Sequence, residues 1–397
     1  MRFRVLPPVA SPSSPADLLA GLKGALRPDR TLAALAESLG RTMDVRHVFL
    51  TSSGRAALTL ILRAVARGSA RRRVIVPAYT CFSVAASVVK AGLELVPCDV
   101  DPGTLDFDFG QLRALIAEEP PLAVVSVHLF GLPADIAAAR ALAHAAGAVL
   151  VDDAAQAFGF RRGEAWLGTE GDVGFFSFGR GKTVSACGGG AVVTNSPELG
   201  KTLQQEWQKT GGPFPVGGVL SLAKAAVVSA LVRPRVYWIP AHMPFLGIGE
   251  THYSTDFAVE RMLGAQAGLL ASWKERSSAM NHARVTKLSQ LGPVAGAVMP
   301  AGDAPCLRLP VLCSSRSERD LLCQAGRRAG LGLVPMYPSA LNGIPQLSAL
   351  LGGNRYPGAE AVAERLLTVP VHPLVTTFDV SATSDLLAAR RIGQNKP

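Results

Sequence analysis

Between about residues 47 and 195, short β-branched runs alternate with helical patterns, and that alternation constrains the fold more than any other feature. The runs cover residues 73–77, 93–97, 123–128, 148–152, 173–178 and 190–194. Several are apolar on both faces, as strands must be when helices cover both sides of their sheet. Between them, Ala57, Leu58, Ile61, Leu62 and Val65 share one helical stripe, and residues 136–146 are alanine-rich without a breaker. The pattern predicts an α/β domain with a mostly parallel sheet. After Ser196 the alternation weakens. Residues 211–250 hold Gly, Pro and aromatic spots at Phe214, Tyr237, Trp238 and Phe245, which predicts an irregular excursion. A long amphipathic helix is expected over 256–287, then a strand at 306–312 and helices at 317–329 and 381–389. The expected division is an N-terminal arm (1–30), a large α/β domain (31–255) and a small C-terminal α+β domain (256–397).

With 397 residues, 48% of them apolar and 18% charged, the chain can bury a large core, so overall disorder is excluded. Its six cysteines include no C-x-x-C pair and are too few for a disulfide scaffold of this length. They read as mostly reduced core thiols of a cytoplasmic protein. The N-terminus carries charge, but prolines and serines replace the apolar run of a secretory signal. The most apolar stretch elsewhere, 219–232, has 14 residues and contains Lys224. It falls short of the ~20 that span a bilayer and reads as a buried or interfacial helix.

A net charge of +10 favours anionic partners such as phosphorylated small molecules. The basic residues are dispersed, and no aromatics alternate with them, so nucleic acid is not the expected partner. No metal site is expected either.

In open α/β sheets, ligands collect beyond the carboxyl ends of the strands. Three segments there carry chemistry. Ser52-Ser53-Gly54-Arg55 precedes a helix, whose free N–H groups and positive dipole end suit a phosphate; an ordinary Ser N-cap is the plainer reading. Asp152-Asp153 closes an apolar run, so one carboxylate is expected to face the site as a base, a metal ligand or the partner of a cationic ring nitrogen. Ser177 and Lys182 follow an aromatic strand. Gly181-Lys182-Thr183 imitates the end of a Walker A loop, but Phe176 stands where that motif needs glycine. A lysine among Gly, Ser and Phe is open to desolvation, which makes an amine a nucleophile for Schiff-base chemistry. Together the segments fit pyridoxal phosphate (PLP), which needs a lysine, an acid opposite its ring nitrogen and a phosphate cradle.

The segments beginning at Ser53, Val76, Val127, Asp153, Gly171 and Gly188, with Lys182, resemble successive blocks of the DegT/DnrJ/EryC1/StrS aminotransferases. The resemblance is dense over 47–195 and looser in 262–267 and 366–373. It implies the fold type I PLP-dependent architecture. It also implies transfer of an amino group from an amino acid, glutamate by analogy, to a nucleotide-linked keto sugar, in a homodimer whose sites lie at the subunit interface. Carried over position by position, it makes Lys182 the catalytic lysine that forms the aldimine and Asp153 the partner of the pyridine nitrogen. Gln156 would lie near the ring's phenolic oxygen, and Ser177 with the Gly54 and Arg55 backbone would hold the phosphate. His128 is left outside the site as a core histidine.

Departures mark a divergent branch. Arg55 stands for the usual Thr, Cys81 for a ring-stacking aromatic, Gly179 for a His and Cys187 for a Glu. No asparagine occurs between Asn195 and Asn281 to reach a neighbouring subunit's phosphate. Two other readings remain: a non-catalytic or regulatory protein that keeps the fold, and an ATP-binding enzyme using Gly181-Lys182-Thr183. The excursion at 211–250 suits an acceptor-pocket wall or a subunit contact better than contact with a membrane.

Overall fold

The computed structural model describes residues 4–212, 217–243, 252–302 and 304–394. Helices α1 (Pro15–Leu26) and α2 (Pro28–Met43) lead into strand β1 (His47–Thr51) and α3 (Gly54–Ala66). Then come β2 (Arg73–Pro77), α4 (Phe82–Lys90), β3 (Glu94–Cys98), α5 (Phe109–Glu118), β4 (Ala123–Val127), α6 (Ile136–Ala145) and β5 (Val149–Asp153). A small hairpin of β6 (Arg161–Arg162) and β7 (Ala165–Trp166) precedes β8 (Val173–Ser177), β9 (Gly190–Thr194) and α7 (Pro197–Lys209).

Seven of these strands form one sheet in the order β1-β9-β8-β5-β4-β2-β3. Contacts among β3, β2, β4, β5 and β8 are parallel; β9 runs antiparallel to both its neighbours. β2, β4, β8 and β9 are buried along their whole length, which is why their sequences lack a polar alternation. The mostly parallel α/β sheet expected from the sequence is the one observed.

Two expectations beyond the sheet change. The helix expected over 256–287 is extended through Leu263 and then splits into α10 (Gly264–Leu269) and α11 (Trp273–Leu291). The start stays extended because the sheet edge takes its backbone: Ser52 N donates to Glu260 O (2.8 Å), and Arg261 bridges Thr51. The excursion expected at 211–250 contains α8 (Gly217–Leu231) and the short α9 (Trp238–Ala241), while 213–216 and 244–250 lie outside the described residues. α8 is a helix, but not a buried one: Val219, Leu220 and Val227 are exposed.

The remaining chain forms β10 (Arg308–Leu312), α12 (Arg316–Ala329), β11 (Val334–Pro335), α13 (Pro345–Ser348), α14 (Pro357–Arg365), β12 (Leu366–Pro370) and α15 (Thr377–Gln394). β12 sits antiparallel between β10 and β11. Contacts cross the expected limits at 30 and 255. α10 packs on α1 and α2, so the large unit runs past residue 255. That packing is close because both sides offer glycine: a Cβ on Gly24 would lie 2.2 Å from Gly264 O, and one on Gly268 2.2 Å from Ala20 O. The first described residues run along the C-terminal unit. Leu6 N donates to Gly330 O (2.9 Å), His372 Nε2 meets Pro7 O (2.8 Å), and Arg4 grips Asp379 through both guanidinium nitrogens at 2.6 and 2.7 Å.

Candidate active site

The register of the sheet decides which of the adjacent carboxylates faces the site. Asp153 pairs with Phe175 and Asp152 with Gly174. Side chains alternate along a strand, so Asp153 shares a face with Phe175 and Ser177, while Asp152 points to the other. Its environment shows the consequence. Asp152 is wholly buried; its Oδ2 accepts the N–H groups of Gly168 (3.0 Å) and Glu170 (3.1 Å), and its Oδ1 lies 2.8 Å from His128 Nε2. His128 Nδ1 accepts the Ala134 N–H (3.0 Å), so the ring proton sits on Nε2, toward Asp152. This is a structural pair, and His128 is a core histidine.

Asp153 differs. It is 4% exposed and accepts the Ala155 N–H at 2.9 Å. Burial pushes its carboxyl up to about 6, while the Ala155 N–H and then the nearby charge of Lys182 pull it down. A desolvated carboxylate so thinly supported calls for a cation.

Ser53 caps α3 by accepting the Ala56 N–H at 3.1 Å. The plainer N-cap reading of this segment is therefore correct as far as it goes. A helix start still leaves the Gly54 and Arg55 N–H groups without intrahelical acceptors. Ser177 comes to the same place from β8, because Ser177 and Thr51 both lie opposite Gly190 of β9. A Cβ on Gly54 would fall 2.8 Å from Ser177 Cβ and 3.0 Å from its Oγ, so only glycine lets hydroxyl and helix start close into one cradle. Gly188-Gly189 is drawn in as well: Gly189 N donates to Ser52 O (2.7 Å), and a Cβ on Gly188 would strike Gln266 Nε2 at 2.3 Å.

Lys182 is half-buried on the loop between β8 and β9. Gln156 is buried; its Oε1 accepts the Phe130 N–H (3.2 Å) and its Nε2 donates to Tyr337 Oη (3.0 Å). Arg55 turns its guanidinium onto the Phe257 ring, 4.8 Å from the centroid, so its side chain is engaged there and its backbone faces the cradle.

Two neighbours were not legible in the sequence. Phe257 comes from the extended stretch before α10, and Tyr337 comes from the C-terminal unit. Tyr337 has a left-handed backbone (φ 43°) and packs near Phe82 and Phe130, with ring centroids 6.3 and 6.4 Å away. Cys81, at the position where an aromatic was expected, is half-buried and accepts the Ser83 hydroxyl at 2.9 Å. A cavity of about 1200 Å³ between the β6–β7 hairpin and α11 includes none of these residues. Among the described residues no group of three His, Cys, Asp or Glu is placed to hold a metal, and no helix is long and apolar enough to cross a membrane.

An amine, a buried acid and an anion cradle at one end of the sheet suit a phosphorylated aromatic N-heterocycle bearing an aldehyde. Known proteins are similar to parts of this chain. A protein of Acidithiobacillus ferrooxidans named UDP-N-acetyl-3-dehydro-alpha-D-glucosamine 3-aminotransferase is 37% identical over 172 residues, 43% of this chain and 46% of the relative. The pleiotropic regulatory protein of Geobacillus stearothermophilus is 36% identical over 155 residues, 39% of this chain and 41% of the relative. The matched segments thus span less than half the length of these curated relatives. Likeness of fold extends further. The structure of Helicobacter pylori PseC, an aminotransferase involved in pseudoaminic acid biosynthesis, superposes with a TM-score of 0.77 at 17% identity, covering 97% of this chain and 99% of that one. The sequence pattern of the DegT/DnrJ/EryC1/StrS aminotransferase family matches residues 23–210, the stretch that supplies every candidate site residue, and over that stretch, somewhat under half of its length, the chain is similar to that family.

Proposed function

We propose that the chain is a PLP-dependent aminotransferase that moves an amino group from an amino acid, glutamate in the first instance, to the keto carbon of a nucleotide-linked sugar. The observation that carries this reading is the meeting of Lys182, the buried Asp153 and the Gly54–Ser177 cradle at one end of the sheet. Bound PLP supplies the aldehyde that receives the amine and a ring that draws in the electrons released at the donor's α-carbon. The residues do the rest. Asp153 Oδ carries the negative charge that holds a ring nitrogen protonated, and its low exposure keeps water from screening that charge. The Gly54 and Arg55 N–H groups and Ser177 Oγ bind the phosphate without a compensating cation from Arg55. Gln156, fixed between Phe130 and Tyr337, orients the oxygen beside the aldehyde. Lys182 Nζ takes the proton from the donor's α-carbon and later returns one to the carbon that was the sugar's carbonyl.

A second reading, a regulatory protein of the same fold, is supported by the name of the Geobacillus relative. Incubating the purified chain with glutamate and a panel of nucleotide keto sugars, then weighing the products, separates the two. The expected result is an amino sugar and 2-oxoglutarate, from a protein whose visible cofactor absorption is bleached by borohydride. A colourless protein that also fails to take up added PLP would overturn the proposal. The same mass measurement reads the position aminated, and light scattering reads the expected dimer.

A further inference from the structure

Two neighbouring helices of this molecule are built inside out. In α8 the buried positions are Gly218, Ser221, Ala225 and Ser229, while Val219 and Leu220 are 70% and 71% exposed and Val227 56%. In α1 the buried positions are Asp17, Gly21 and Gly24, and Leu19, Leu22 and Leu26 face outward. The helices lie antiparallel against each other. Gly218 meets Ala25, a Cβ on Gly21 would fall 2.5 Å from Leu222, and Ser13 N donates to Ser229 Oγ at 2.9 Å. Their outward leucines and valines therefore form one plate. A water-facing helix normally turns such residues inward; packing through Gly, Ala and Ser with aliphatics outside is the arrangement helices adopt against lipid.

Charge selects the occupant. Lys23, Arg27 and Arg30 rim one end and side of the plate, and Lys224, Arg233 and Arg235 the other, all exposed. The acids in 4–30 and 217–243 are only Asp17, which is buried, and Asp29. An isologous contact between two copies would set six cations against six with almost nothing to neutralise them. An anionic lipid surface neutralises them, lets Lys23 and Lys224 extend their ammonium groups past the aliphatic plane, and receives the half-buried Tyr237 and Trp238 at headgroup depth. α8 has 15 residues, so it lies in such a surface and does not cross it.

We propose that the α1–α8 plate docks this protein on an anionic membrane surface. The proposal is independent of the amine-transfer reading, and it reverses the order in which the sequence ranked the roles of 211–250. The test is co-sedimentation of the full-length protein with vesicles of phosphatidylcholine alone or with a third of phosphatidylglycerol. Binding is expected to the anionic vesicles, at least tenfold above the neutral ones, and to weaken as salt rises from about 0.1 to 0.5 M. Leu220→Glu with Val227→Glu should lower vesicle binding at least tenfold while melting behaviour and cofactor content stay unchanged. Equal or absent sedimentation with both vesicles, or a double variant that still binds, would overturn it. So would a double variant whose mass in light scattering falls to half, because the plate would then belong to a second copy.

Discussion

The sheet-end site and the α1–α8 plate both break the usual sorting of polar outside and apolar inside, in opposite directions. At the site a carboxylate is sunk to 4% exposure beside a half-buried lysine; on the plate, leucines and valines stand in the open. Interiors and surfaces of water-soluble domains are otherwise sorted by transfer free energy, so both departures need something the isolated chain does not carry. On the two proposals made above, the site takes a cationic, phosphorylated ring and the plate an apolar, anionic surface. Departures of this kind mark where a chain meets another molecule.

Paired substitutions sharpen the contrast. Two lysines separate most widely: Lys182→Ala should lower amine transfer by about 10³-fold or more and remove the visible absorption, since general acid–base action alone is worth ~10²–10⁴. Lys224→Ala on the plate should leave turnover within twofold in a soluble assay; a plate variant as damaging as the site variant would erase the distinction. Next comes the buried side of the plate. Gly24→Val places a Cβ against Gly264 O and should cost roughly 3 kcal/mol in a denaturant titration, as overpacking of backbone contacts does. Leu220→Gln on its outer side should stay within about 0.5 kcal/mol.

Asp153 offers a comparable test in acid. Its folded carboxyl lies near 6 against 3.8 for the free group, so folding takes up a proton between those values. Its contribution is fully present below pH 3.8 and is lost as pH rises through about 6, by up to ~3 kcal/mol in the cofactor-free protein. Asp153→Asn should flatten that part of the stability profile, whereas Asp152→Asn should lower stability without flattening it, because it weakens the 168–170 turn. Identical profiles for the two would contradict the face assignment. A smaller effect than at Lys182 is expected at Gly54: alanine there crowds Ser177 and should weaken PLP retention about tenfold, read as cofactor lost on dialysis, with little change in melting.

The sheet was legible because burial on both faces writes itself into unbroken apolar runs such as 123–127 and 190–194. Its end was legible in part. Asp152-Asp153 announced a carboxylate, yet only the pairing with Gly174 and Phe175 tells which one turns where. Tyr337 could not be found, because it reaches Gln156 from 181 residues away. The outward face of α8 was not legible for another reason. Hydropathy reports that 219–232 is apolar, not which side of the helix meets protein, and here the small residues do.

The clasp between Arg4 and Asp379 turns a linear polypeptide into a closed circuit. The strand of chain inside that circuit also fastens Pro7 to His372 and, through Val5 N and Pro234 O, ties the loop beyond α8 to the C-terminal unit. Cutting away the first dozen residues would therefore loosen both extremities at once, and a purification handle grafted onto the amino end would pull on the same knot.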